Sequence, residues 1–150
     1  MSTATETRRP PVATRRVGYV VAVLVNAVLL YAANVWPGWE TLPFLTEDTS
    51  QVMPMVNASI TVSLVANVIY VLRDPRWLKA LGDVVTTAVG LAAALQMWQV
   101  FPFDFDDGGF DWALAVRVLL GIAIVGSVIA IVAGLVTFFR SVAAPQHITR

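Results

Sequence analysis

Arg73-Asp74-Pro75-Arg76-Trp77 is the short break between two long apolar runs, residues 52–72 before it and 77–100 after it. An aspartate at a helix N-cap, followed by proline at the first helical position, starts a helix abruptly. Asp74 is therefore expected to cap a helix that begins at Pro75. With so little loop, the two flanking helices must be antiparallel neighbours. Working outward, residues 17–36 form an earlier apolar run closed by Pro37-Gly38, and residues 112–139 form a last one. Roughly 20 residues of helix rise about 30 Å, the thickness of the hydrocarbon core. Pro102 stops the third run. The fourth exceeds a perpendicular crossing, so tilt or an overhang into the interface is expected. The expected fold is all-α, a four-helix transmembrane bundle of antiparallel up-down topology with spans at 17–36, 52–72, 77–100 and 112–139.

Composition agrees. The 150 residues amount to one domain, with 57% hydrophobic and 13% charged residues, against about 45–50% and about 25% in soluble domains. The mean hydropathy is +0.72. A soluble core of this size cannot hide so much apolar surface, so lipid is the expected solvent. There is no cysteine and a single histidine, His147, which removes thiol chemistry and argues against a histidine metal site within one chain. Residues 1–16 and 140–150 read as polar tails, the first disordered. The run at 17–36 is longer than a signal-peptide apolar region, so it reads as an uncleaved first span.

Charge orients the chain. Apart from Arg117, every lysine and arginine lies in the two tails or at 73–79. By the positive-inside rule those segments face the cytoplasm of an inner (plasma) membrane protein, N-in and C-in. Glu40, Glu47, Asp48, Asp104, Asp106, Asp107 and Asp111 fall in the opposite loops, 37–51 and 101–111. Arg8, Arg9, Arg15 and Arg16 suit anionic lipid headgroups of the cytoplasmic leaflet better than nucleic acid.

Each opposite loop has its own pattern. Residues 37–51 carry Trp39, Pro43 and Phe44, then Glu47-Asp48-Thr49-Ser50, where Thr49 or Ser50 is expected to cap the second helix. Phe101, Phe103 and Phe105 alternate with Asp104 and Asp106, so an extended chain sends rings and carboxylates to opposite sides. The acids invite a calcium reading, but Ala115 stands where an EF-hand needs its bidentate glutamate. A solvated interfacial loop is the simpler reading.

At about 100° per residue, Ser59, Ser63, Asn67 and Tyr70 share an arc of about 80° on the second helix. Gly82, Thr86, Gly90 and Ala94 recur every fourth residue on the third, and Gly126, Ala130 and Gly134 on the fourth. Small residues at this spacing let helix backbones approach closely, so helix packing is the expected role; a water- or solute-lined path is the competing one. Asn26, Asn34, Asn57 and Asn67 are expected to tie the first two helices together. Two charges stand out. Arg117 lies in the fourth helix near the acidic loops, with Asp104, Asp106, Asp107, Asp111, Gln96 and Gln99 as expected partners; an anion or headgroup contact is the functional alternative. Asp83 sits two turns into the third helix, close to Lys79, Arg73 and Arg76. It reads as a snorkelled ion pair or, for a proton-coupled transporter, as the embedded carboxylate.

Val35-Trp36-Pro37-Gly38-Trp39, Asp83-Val84-Val85-Thr86-Thr87 and Trp98-Gln99-Val100-Phe101-Pro102-Phe103-Asp104 resemble segments of small four-span bacterial integral membrane proteins. That resemblance covers most of residues 17–140 and implies no activity. The chain is also similar in size and span count to small multidrug-resistance transporters, but residues 17–36 hold no membrane-embedded glutamate. No nucleophile–base pair, phosphate-binding glycine loop or metal-ligand spacing is present, and no cofactor is expected. The expected function is that of a non-enzymatic accessory or scaffold subunit, packing on itself or on a larger membrane partner. An oligomeric transporter or channel using Asp83, Arg117 and the polar stripe is the alternative.

Overall fold

Residues 9–106 and 108–143 are described by the computed structural model of the chain; Asp107, Arg8 and His147 lie outside them. Each apolar run is a helix: α1 Val12–Asn34, α2 Thr49–Leu72, α3 Arg76–Val100 and α4 Trp112–Ala143, with one 3-10 turn at Trp39–Thr41. The protein is all-α, and all four helices are long and apolar enough to cross a membrane. Their 23 to 32 residues correspond to about 35–48 Å of helix.

The helix starts differ from the sequence expectation, for local reasons. Residues 12–16, expected as tail, belong to α1, because extended Pro11 takes the N-cap and its carbonyl accepts the Arg15 N–H at 3.2 Å. Asp74 does not cap α3. Pro75 occupies the N-cap with φ −60° and ψ 149°, and no side chain caps that helix. Neither Thr49 nor Ser50 caps α2: Asp48 holds the N-cap position, Ser50 donates to the Glu47 carbonyl at 2.9 Å, and the buried Thr49 hydroxyl has no partner. α3 ends where Phe101 turns left-handed at φ 44°, ahead of Pro102.

Side-chain contacts fix how the helices run. Tyr19 meets Tyr70 while Asn34 meets Asn57, so α1 and α2 are antiparallel. Tyr70 reaches the Lys79 carbonyl while Gln96 reaches the Gln51 carbonyl, which reverses α3 against α2. A Cβ on Gly134 would press on Val84 and one on Gly121 would meet Trp98, which reverses α4 against α3. Among the described residues each helix contacts only its neighbours in sequence, and α1 does not touch α4. The lateral order is thus an open row with α1 and α4 at its edges. Val52, Ala66, Tyr70, Ala80 and Ala93 on the two central helices are buried within it, and Pro102 is buried in the loop that follows α3.

Across one end the loops clasp. Thr46 N–H donates to the Pro102 carbonyl at 3.0 Å and Asp104 N–H to the Phe44 carbonyl at 2.9 Å, around an antiparallel bridge between Leu45 and Phe103. Phe101, Phe103 and Phe105 follow one another at ring separations of 5.3 and 5.9 Å, and Phe44 stacks on Phe105 at 5.9 Å. This acidic end lies opposite the basic end, where the 73–75 turn and the start of α1 meet.

Candidate functional site

At the basic end the three-residue turn presents Asp74 to α1. Arg15 Nε donates to its carboxylate at 2.8 Å, Arg9 Nη2 at 3.4 Å and the Tyr19 hydroxyl at 3.3 Å, while Arg9 also reaches the Asp74 carbonyl at 2.8 Å. The Arg15 hydrogen bond, with the positive charges of Arg15 and Arg9, holds the Asp74 carboxyl below its ordinary range. A residue that reads as a helix cap instead locks the first helix to the turn between the second and third.

The network continues inward through rings. Tyr19 and Tyr70 are 5.4 Å apart. The Tyr70 hydroxyl has the Lys79 carbonyl and Asp83 Oδ1 as acceptors, both at 3.2 Å, and its one proton serves one of them at a time. Lys79 Nζ pairs with Asp83 Oδ2 at 2.6 Å one helical turn away and lies 5.4 Å from the Tyr70 ring centre. The structure thus brings Asp83 together with Lys79, and adds Tyr70 as a partner that sequence spacing alone does not reveal. The Asp83 side chain is 49% exposed, and Thr86 donates to its carbonyl at 3.1 Å. Beside this pair, the ends of α3 and α4 enclose a partly open cavity of about 410 Å³. Arg9, Arg76, Lys79, Ala80, Asp83, Thr137, Arg140 and Ser141 line it.

No family model, curated protein or solved structure matches the chain. The remaining residues are therefore read from their own surroundings.

Arg117 has rings as neighbours, and Asp107, one of its expected partners, lies outside the described residues. Among the described residues Arg117 forms no ion pair; its guanidinium lies 4.1 Å from the Phe101 ring centre and 5.9 Å from that of Trp98. The reason is local. Asp111 accepts the Leu114 N–H at 2.8 Å at the start of α4, Asp104 is held through its backbone in the loop clasp, and Gln96 turns to α2. Left-handed Phe101 then brings its ring under the arginine. Aromatics at 98 and 101, one turn apart at the end of α3, were the available sequence signal. Asp104, Asp106 and Asp111 are exposed, and no three described acids gather to hold a metal ion.

The packing residues divide. Gly82 lies so close to Tyr70 that a Cβ there would overlap the hydroxyl, and Gly134 lets Val84 approach its backbone. Asn34 and Asn57 exchange amide hydrogen bonds at 2.9 and 2.7 Å across α1 and α2. Asn26 and Asn67 bond back within their own helices, to the Ala22 and Ser63 carbonyls, and Ser59 donates to the Val56 carbonyl. Gly90 and Gly126 have nothing near a would-be Cβ, and Ala130 is exposed.

Proposed function

We propose that the protein is a non-enzymatic multi-pass component of the inner (plasma) membrane, an accessory or scaffold subunit that packs sideways on a second copy or a larger membrane partner. The basic end faces the cytoplasm in this reading, because that is where retained lysines and arginines belong. The observation that carries it is the uncovered edge of the row: among the described residues α4 packs on no helix but α3, a Cβ on Gly126 would meet nothing, and Ala130 is exposed. In lipid, helices associate by close van der Waals approach, and a small-residue stripe at a free edge permits that approach. The polar residues favour this role over transport. Asp83 is already paired with Lys79 and Tyr70, and the Ser59 and Asn67 side chains are satisfied within α2.

The cysteine-free chain gives a direct test. A single Gly126→Cys in native membranes is expected to cross-link to another chain, and Gly126→Leu/Ala130→Leu to abolish association in mild detergent while the monomer stays folded. Association that survives the bulky pair would overturn the assignment of this edge. Proteoliposome flux that is lost in Asp83→Asn would instead establish transport.

A further inference from the structure

The cavity at the basic end brings together more positive charge than the described residues balance. Its cations come from three separate segments: Arg9 ahead of α1, Arg76 and Lys79 in the first turn of α3, and Arg140 in the last turns of α4. Asp83, the one acid lining it among the described residues, is held by Lys79 at 2.6 Å. Arg9 donates at 2.8 Å to the Asp74 carbonyl, which carries no charge, and stands 3.4 Å from the Asp74 carboxylate, which Arg15 takes up at 2.8 Å. Arg76 and Arg140 have no ion pair among the described residues. The first N–H groups of α3 also lack a side-chain cap, so the positive end of that helix adds to the same field. Like charges gathered around one cavity repel, and an anion from outside offsets that cost.

Depth identifies the anion. Arg76 and Arg140 stand where α3 and α4 leave their apolar stretches, the level of the headgroups in a bilayer. Beside the charged residues the lining holds Ala80, and Thr137 and Ser141, whose hydroxyls donate to the Ala133 and Phe138 carbonyls of their own helix, which suits a ligand with an apolar continuation. We propose that this cavity is a phosphate-binding site for the headgroup of an acidic phospholipid, whose acyl chains lie along the α3–α4 seam. The proposal rests on the chain spanning a bilayer and not on the lateral role of α4, which the cross-linking at Gly126 tests separately.

The test uses the full chain in nanodiscs of phosphatidylcholine alone or with one fifth phosphatidylglycerol, reading both melting temperature and lipid retained in native mass spectrometry. Phosphatidylglycerol is expected to raise the melting temperature, and inorganic phosphate at matched concentration to leave it unchanged. Arg76→Gln/Arg140→Gln is expected to weaken lipid retention about thirtyfold, or about fivefold for each arginine. Its melting temperature in phosphatidylcholine alone should be no lower than that of wild type, because removing two like charges relieves the same repulsion. Arg16→Gln/Arg73→Gln removes the same charge at the same end but outside the cavity, and is expected to keep most of the retention. An equal loss in that control would mean diffuse surface attraction and overturn the site. An equal response to inorganic phosphate would overturn the lipid source, and no response to either ligand would overturn the proposal.

Discussion

Asp74 carries its charge to lower pH when folded than when unfolded, because Arg15 and Arg9 stabilise the carboxylate only in the native state. In the interval between the two values the unfolded chain binds more protons, so stability rises with pH there. The contribution is complete above the ordinary value of 3.8 and is lost as pH falls from there through the depressed folded value. Melting curves in detergent are therefore expected to be steeper below pH 4 for wild type than for Asp74→Asn, which should start lower at neutral pH and change less. Gly82 makes a second prediction. A methyl group there meets the Tyr70 hydroxyl and ring edge, so Gly82→Ala is expected to cost about 1–3 kcal/mol by overpacking. Gly82→Ala/Tyr70→Phe should recover part of it, because the hydroxyl oxygen is then gone. At the other end, Arg117→Gln is expected to cost about 0.5–2 kcal/mol through the lost cation–π contact. If Phe101→Leu removes the same contact, the two losses will not add in a double-mutant cycle.

At the scale of elements, the connections do more than join the helices. The Asn34–Asn57 amide pair is exchanged between α1 and α2, so Asn34→Leu leaves an amide without its partner. It is expected to lower stability by about 0.6–2 kcal/mol, measured by unfolding in mixed micelles. The four helices, their antiparallel order and the charge asymmetry were legible in the sequence because apolar runs of spanning length and basic flanks are local signals. The asparagine ties between the first two helices were legible in part: Asn34 and Asn57 make one, while Asn26 and Asn67 satisfy their amides on carbonyls of their own helices. The cap at Asp74 was misread because Arg9 and Arg15 are distant in sequence and outcompete the backbone of the following helix. The rings beside Arg117 were not foreseen for a similar reason: a left-handed residue at 101 redirects a ring, and no pattern of side-chain types announces that turn. The small-residue stripes marked faces capable of close approach but could not say which face meets which helix. Gly82 and Gly134 found partners within the chain and Gly126 did not.

The described residues form a row closed at neither side, held at one end by the Asp74 network and at the other by the pairing of the two acidic loops. That arrangement, not the helix count, decides whether α4 is free for another chain. A closed bundle would place α1 beside α4 and cover part of the edge on which Gly126 lies; a row separates them by two helices. The contact register places Val25 on α1 and Val132 on α4 at similar depth, and both are more than half exposed. In Val25→Cys/Val132→Cys a short bifunctional thiol reagent is expected to leave the chain unlinked within itself at high dilution in detergent. Asn34→Cys/Asn57→Cys, across neighbouring helices, should link readily under the same conditions. An efficient internal link between positions 25 and 132 would mean that the row closes in solution. It would then remove the free edge on which sideways packing depends.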